Sequence, residues 1–104
     1  MNGTQLIAAE RERQIKTEGW TFAHDNKHGR GELIAAAMCY ASVPLLRLTY
    51  NGCAAESEIT EVMATRWPWE EEMWKPDNSA VRNLVKAGAL IAAEIDRLQR
   101  QTLD

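Results

Sequence analysis

The chain is poor in several features that would mark a particular class of protein. It holds only two cysteines, Cys39 and Cys53, and they do not form a CxxC pair, so we expect no disulfide and a buried Cys39 thiol. Its net charge of −3 argues against binding along a nucleic-acid backbone. We also expect no membrane association, because no apolar run looks long enough to cross a bilayer and residues 1–4 lack a secretory signal. These absences together favour a cytoplasmic protein.

The length and composition predict one small domain. A chain of 104 residues with 45% hydrophobic content can build a single core, and we assign residues 1–104 to one domain. A core of this size is only marginally sufficient, so we expect a homo-oligomer.

Hydrophobic periodicity predicts a mainly α-helical domain of about four helices. Thr4 is a candidate cap for the first helix, and Asp77, Asn78 and Ser79 are candidate caps for the last. The polar, glycine-containing segment 18–30 predicts a loop. The predicted helices cover residues 4–17, 31–43 and 56–66 and a final segment that follows residues 77–79.

Residues 45–55 allow two interpretations. Pro44 is expected to end the preceding helix, and the following Leu-Leu-Arg-Leu-Thr-Tyr alternates before Asn51-Gly52. This pattern predicts a short β-hairpin near residues 45–55, with a frayed helical extension as the alternative.

The last helix has the clearest apolar stripe. Its members recur at intervals of three and four residues, which predicts that the stripe faces the core: Val81, Leu84, Val85, Gly88, Ile91, Ala92, Ile95 and Leu98. Gly88 would allow close helix–helix approach, and the alanine-rich helix over 31–43 is the expected partner.

Four tryptophans stand out in so short a chain. Trp20 follows Gly19, whereas Trp67, Trp69 and Trp74 crowd into one segment whose two prolines predict a rigid loop. An indole can stack on a flat aromatic ligand, which makes all four candidate ligand-binding residues. The alternative, favoured for at least two of the loop tryptophans, is that they fold back and cap the core.

Basic residues lie close to Trp20 in the sequence. They form a locally basic region that could bind phosphate: Arg11, Arg13, Lys16, Lys27, His28 and Arg30. Lys75 from the tryptophan loop is a further candidate ligand-binding residue. The alternative for the first helix is a solvated face on which Arg side chains pair with glutamates at helical spacing.

The segment His24-Asp25-x-x-His28-x-x-x-Glu32 is the one metal-like pattern. His24, His28 and Glu32 would share a face of a continuous helix, but the glycines at 29 and 31 interrupt it. We therefore predict no metal site and no cofactor, and expect either a polar loop that caps the next helix or contacts of His24, Asp25 and His28 with a ribose or a base edge. No catalytic nucleophile is recognisable in the sequence.

Several motifs resemble a family of small uncharacterised phage and prophage proteins. The first half carries Glu10-Arg11-Glu12-Arg13-Gln14-Ile15, Glu18-Gly19-Trp20-Thr21, His24-Asp25 and Gly31-Glu32-Leu33. The second half carries Trp67-Pro68-Trp69, Trp74-Lys75-Pro76 and Arg82-Asn83-Leu84-Val85-Lys86-Ala87-Gly88-Ala89-Leu90-Ile91. The resemblance covers most of the chain outside residues 42–65 and brings no established activity with it.

Two remote resemblances point towards nucleotides. The stretch from Arg13 to Thr21 is similar to the helix-to-loop segment of ryanodine-receptor repeat domains, some of which are linked to adenine nucleotides. The opening motif with His24-Asp25 resembles all-helical, magnesium-dependent MazG-type pyrophosphohydrolases. The metal-binding helix of those enzymes has no counterpart here, because Glu70-Glu71-Glu72 lacks its spacing.

Three functional hypotheses follow. The first is a phage protein that binds and sequesters a nucleotide-type immune signal, such as a cyclic oligonucleotide or an ADP-ribose derivative, without catalysis. The second is a divergent pyrophosphohydrolase that uses Glu10, Asp25, His28 and Glu32. The third is a protein-interaction module with an exposed tryptophan loop.

Overall fold

The computed structural model describes residues 1–102, and this part of the chain is built from helices and connecting turns without a strand. The α-helices are α1 (Gly3–Thr17), α2 (Phe22–Asn26), α3 (Glu32–Thr49), α4 (Gly52–Arg66) and α5 (Ala80–Thr102), and a 3-10 turn covers Glu71–Met73. The predicted mainly α fold is confirmed.

The ends of α1 are fixed by local hydrogen bonds. Asn2, rather than Thr4, caps the helix, because its side chain accepts a hydrogen bond from the Gln5 N–H while the Gln5 side chain accepts one from the Asn2 N–H. At the other end Gly19 has a positive φ of 74°, and the N–H of Trp20 bonds back to the Gln14 carbonyl. This turn brings Trp20 back along the side of α1.

The segment predicted as a loop, 18–30, contains the short helix α2. Thr21 caps it through a bond from the His24 N–H to Thr21 Oγ1 of 3.4 Å. This single turn of helix gives His24 and Asp25 fixed positions instead of leaving them on an open loop.

The predicted β-hairpin near residues 45–55 is wrong, and the helical alternative is right. Helix α3 continues through Pro44 to Thr49, and α4 begins at Gly52, where φ is +50°. The leucines after Pro44 are good helix formers, and Leu45 and Leu48 are exposed in the structure, so the alternation does not mark a buried strand face. A proline costs α3 one backbone hydrogen bond without ending it.

The core lies between α3 and α5, with α1 packed on α5 and α4 on α3. Small side chains let the two central helices approach closely, as the sequence predicted; the main buried cluster is Leu33, Ala36, Ala37, Tyr40, Ala87, Leu90 and Ala93. Cys39 is buried as expected. Gly88, however, faces α1, because a methyl group there would lie 2.6 Å from Ile7 Cδ1.

Most of the apolar stripe of α5 does not face the core, contrary to the sequence prediction. Val85 is buried, but the five other large side chains of the stripe are each 45–59% exposed: Val81, Leu84, Ile91, Ile95 and Leu98. The polar residues Asn83, Glu94 and Arg97 are buried on α5 instead. Glu94 and Arg97 neutralise one another through an ion pair.

Helix α3 corrects a further expectation. With 18 residues and a mean hydropathy of 1.3, it is long and apolar enough to cross a membrane by length and composition. Within this fold it is the central core helix, since Leu33, Ala36 and Val43 are completely buried. Core packing accounts for only part of its apolar character, since 33% of the helix is buried and Ile34, Met38, Leu45 and Leu48 are exposed.

Candidate functional site

The tryptophan loop after α4 folds onto the core as an aromatic cluster. The rings of Trp67 and Trp74 lie 5.0 Å apart, and the ring of Tyr40, on α3, lies 4.8 Å from that of Trp74. Trp67 Nε1 donates to the Glu70 carbonyl over 2.9 Å, which closes the loop. All three loop indoles are half-buried against the core. Core capping therefore describes this loop better than exposed stacking surfaces do.

The cluster continues to the segment between α1 and α3. Trp20 lies 5.8 Å from Trp69 and stacks on the ring of His24 at 5.9 Å with an interplanar angle of 7°. His28 meets the face of Trp69 edge-on at 5.3 Å. Segments distant in sequence thus share one continuous aromatic surface.

A pocket opens where α1 meets this aromatic surface. It holds about 60 Å³ of space that water can enter, and it is lined by Glu10, Arg13, Gln14, Glu18, Trp20, Tyr40, Met73, Lys75 and Lys86. Pockets that enclose a whole small molecule are usually roughly 300–1,000 Å³. This one therefore has room for one end of a ligand, such as a phosphate group.

The acidic side of the pocket is neutralised from within. The buried Glu10 accepts hydrogen bonds from Arg13 Nε at 2.8 Å, from Arg82 and from Gln14. Burial raises the pKa of Glu10, but the hydrogen bonds from Arg13 and Arg82 outweigh it and leave the pKa below its ordinary value. Arg13 also pairs with Glu18 over 3.1 Å. These arginines balance the two carboxylates.

The basic side of the pocket is not balanced in this way. Neither Lys75 nor Lys86 forms an ion pair with a carboxylate in the described part of the chain. Lys86 Nζ donates to the Lys75 carbonyl over 2.8 Å and lies 5.4 Å from the centre of the Tyr40 ring. Burial lowers the pKa of Lys86 below its ordinary value, which reflects the cost of holding an unpaired cation there.

Gln14 leaves an acceptor without a donor at the pocket. Its side chain is almost completely buried, and Nε2 donates to Glu10 over 3.2 Å, which fixes the orientation of the amide. The other amide atom, Oε1, is buried and finds no hydrogen-bond partner within residues 1–102. A buried, unpaired acceptor costs about 1–3 kcal/mol, and because this atom has almost no accessible surface, it belongs to the packing beneath the pocket.

The structure brings together some of the predicted site residues. Arg13, Trp20 and Lys75 line the pocket. The prediction missed its other lining residues. The helical spacing of Glu10, Gln14 and Glu18 around Arg13 could have indicated the α1 side, whereas Tyr40 and Lys86 arrive only through tertiary packing.

Arg11 and Asp25, predicted to bind ligand, are paired with each other instead. Arg11 Nη2 donates to Asp25 Oδ2 over 2.7 Å, Asp25 is completely buried, and Arg11 Nη1 reaches the Trp20 carbonyl over 3.3 Å. This ion pair ties α1 to α2. Arg30 is exposed and does not line the pocket.

The acidic and histidine residues proposed for hydrolysis are each engaged by partners within the protein. Glu10 is held by two arginines and Asp25 by Arg11, whereas His28 pairs with Glu32 over 3.2 Å. Among the residues that the structure describes, no group of three or more His, Cys, Asp or Glu side chains is arranged to hold a metal ion. The geometry does not support the pyrophosphohydrolase hypothesis.

A larger groove of about 400 Å³ lies between α3 and α4, lined by Ala35, Met38, Cys39, Ser42, Val62 and Arg66. Its polar groups are few, and the Ser42 hydroxyl is already bonded to the Cys39 carbonyl over 2.7 Å. Burial raises the pKa of the Cys39 thiol, which disfavours a reactive thiolate. The pocket beside α1 is therefore the better candidate.

In comparisons with known proteins, no protein-family model, no curated protein and no solved structure matches this chain.

Proposed function

We propose that this protein binds a small nucleotide-type ligand at the pocket beside α1 and does not turn it over. The two pocket lysines, Lys75 and Lys86, carry the proposal, because neither pairs with a carboxylate in the described part of the chain and both lie beside aromatic rings. A nucleotide combines the two complementary chemistries: phosphate charge and a flat ring.

The phosphate end is assigned to the two lysines. Lys86 and Lys75 reach the pocket without a carboxylate partner in the described chain, so a bound phosphate would supply the negative charge that they lack. Arg13 lies beside them, held by Glu10 and Glu18.

The base is assigned to the aromatic surface at the pocket mouth. The pocket is too small for a whole nucleotide, so the remainder of the ligand must lie outside it, where Trp20 is half-buried. Stacking of one base on an indole contributes roughly 1–3 kcal/mol.

We propose that the ligand is not turned over because the carboxylates that line the pocket already form ion pairs. Glu10 and Glu18 both bond to Arg13, so neither is a free general base beside the ligand.

The biological role we propose is sequestration of a nucleotide immune signal, either a cyclic oligonucleotide or an ADP-ribose derivative, in the cytoplasm of an infected or lysogenic bacterium. The resemblance to phage and prophage proteins supports this setting, and a pocket without spare catalytic groups supports capture over cleavage.

The first test is mass spectrometry of small molecules released by heat from protein expressed alongside host signalling enzymes. Recovery of an unmodified nucleotide in stoichiometric amount would support sequestration, whereas a cleavage product would revive the hydrolase hypothesis. Ligand-free protein should then bind the recovered nucleotide, or a member of a nucleotide panel, in calorimetry. Failure to bind any member would refute the proposal.

A matched pair of variants tests the assigned site. Lys86→Met removes the pocket cation and keeps most of the chain length, so affinity should fall about 10- to 100-fold, as expected for losing a charged hydrogen bond. Lys16→Met is the control, because Lys16 is exposed on α1 and pairs with Glu12 away from the pocket. Equal effects of the two substitutions would locate binding elsewhere.

We further propose that the protein works as a homo-oligomer that forms through the exposed stripe of α5. Intervals of three and four residues along 81–98 are those of a helix seam that packs against another helix. The five exposed side chains present roughly 500 Å² of apolar surface, more than half of the ~800 Å² that each partner buries in a standard interface. A second copy supplies an identical stripe, which a symmetric dimer requires.

Light scattering after size-exclusion chromatography measures the oligomeric state directly. Ile95→Glu, in the middle of the exposed stripe, should convert the oligomer to monomers, while Thr65→Glu on the exposed surface of α4 should not. A wild-type protein that stays monomeric at millimolar concentration would refute the oligomer. Such a monomer that captured a host protein through the same stripe would show that the stripe binds a different protein, whereas capture lost in Trp69→Ala would favour the interaction-module hypothesis.

A further inference from the structure

The two histidines of the chain lie side by side in a hydrogen-bonded row that has a carboxylate at each end. His24 Nδ1 lies 3.2 Å from Asp25 Oδ1, and His28 Nδ1 lies 3.2 Å from a carboxylate oxygen of Glu32. The remaining ring nitrogens, Nε2 of each histidine, face one another at 3.3 Å.

The carboxylates determine which ring nitrogens carry hydrogen. Asp25 Oδ2 accepts a hydrogen bond from Arg11, and Glu32 Oε1 accepts one from the Arg30 N–H. A carboxylate engaged in this way acts as an acceptor, so each imidazole donates from Nδ1. Both Nε2 atoms then present lone pairs to one another, a contact that becomes favourable when one Nε2 takes up a proton or when a cation binds between them.

We propose that His24 and His28 bind a divalent transition-metal ion, Zn²⁺, Ni²⁺ or Cu²⁺, through their Nε2 atoms. Two nitrogens that each lie about 2.0–2.1 Å from a tetrahedral zinc ion are about 3.3 Å apart, which matches the separation of the two Nε2 atoms. His24 lies on α2 and His28 lies just beyond the end of that helix at Asn26, and the turn between them brings the two rings to 4.6 Å. Imidazole nitrogen suits these three metals.

The surroundings of the pair are those of a metal-ligating histidine. Each imidazole donates its other nitrogen to a carboxylate, the arrangement that orients histidine ligands and raises their basicity. Trp20 stacks on His24, and Trp69 packs against His28, so both rings are held in place. The side chains remain 27% and 22% exposed, which leaves access for an ion from solvent.

The protein supplies only two ligands, consistent with the lack of a three-residue group among residues 1–102. Water or an oxygen atom of a bound molecule would complete the coordination sphere. The site is therefore exchangeable, unlike a closed structural zinc site.

Titration of tag-free protein with Ni²⁺, with tryptophan fluorescence as the readout, tests the proposal. Trp20 and Trp69 lie 5.9 Å and 5.3 Å from the two histidine rings, so a bound paramagnetic ion should quench them. Zn²⁺ should then reverse the quenching by competition. Calorimetry with Zn²⁺ should give one ion for each chain.

Three variants separate this site from other sources of binding. His28→Gln should reduce Zn²⁺ affinity at least about 10-fold, and Glu32→Gln, which keeps both ligands, should reduce it about 10-fold through loss of orientation. Cys53→Ser, at an exposed thiol, should leave affinity unchanged. Binding that survives His28→Gln in folded protein, or that disappears with Cys53→Ser, would overturn the proposal. Absence of any Zn²⁺ or Ni²⁺ binding to the wild type would overturn it equally.

Discussion

Replacement of Asp25 by asparagine tests whether the Arg11–Asp25 pair stabilises the fold or serves a ligand. The substitution keeps the size of the side chain and one acceptor oxygen but removes its charge. Asp25 is completely buried and Arg11 is only 8% exposed, so the guanidinium of Arg11 would be left buried without a counter-charge.

The expected loss of stability is large. Removing one partner of a buried ion pair costs about 3–5 kcal/mol, because the remaining charge is stranded in a medium of low polarity. For a domain of about 100 residues, each kcal/mol shifts Tm by roughly 4–8 °C, so Asp25→Asn should lower Tm by more than about 10 °C. Glu12→Gln breaks the exposed Glu12–Lys16 pair and should cost no more than about 0.5 kcal/mol.

Urea unfolding followed by circular dichroism measures both variants. The double variant Arg11→Met, Asp25→Leu removes both charges and should recover most of the lost stability, since neither charge is then left alone. An Asp25→Asn protein within about 1 kcal/mol of the wild type would refute this reasoning. If that protein also lost ligand affinity, Asp25 would belong to a binding site, as the sequence alone predicted.

Three further predictions concern the pocket and the backbone. The pKa of Glu10 in the folded protein lies below its ordinary value of 4.5, so its contribution to the free energy of unfolding is present above that pH and is lost as the pH falls through the folded pKa. Glu10→Gln should weaken this loss of stability at acid pH, as measured by urea titrations at successive pH values. Gly19→Ala should cost about 1 kcal/mol because φ is +74°, whereas Gly3→Ala, at the start of α1 without neighbours within 4 Å, should stabilise by about 0.5–1 kcal/mol; equal effects in thermal unfolding would contradict the backbone argument. Pro44→Ala should raise Tm by restoring a helical hydrogen bond in α3, and a lower Tm would show that the proline is required there.

The helices were predictable because their signals are local. Apolar spacing and capping residues act within a few positions, and they located α1, α3, α4 and α5 with errors confined mainly to their ends. The segment after Pro44 was mispredicted because its alternation was taken to mark a strand with one buried face, whereas Leu45 and Leu48 are exposed on a helix in the structure. Tertiary packing of α4 on α3 decides that case.

The pocket was only partly predictable for a different reason. Arg13 and Trp20 were predictable because the sequence shows a basic helix followed by a glycine turn, and both residues line the pocket. Tyr40 and Lys86 come from α3 and α5, and their meeting with α1 depends on how the helices cross. The sequence likewise does not show that Arg11 pairs with Asp25, fourteen residues away, whereas Arg13 pairs with Glu10.

The apolar stripe of α5 shows what periodicity does and does not determine. It identifies correctly which face of the helix is apolar, and the natural inference is burial. Within one chain that face stays open, while Asn83, Glu94 and Arg97 are turned inward. Exposing five large apolar side chains has no benefit to an isolated domain, and their regular spacing matches a helical partner. The periodicity and the structure therefore agree if the surface that covers α5 belongs to a second copy of the chain.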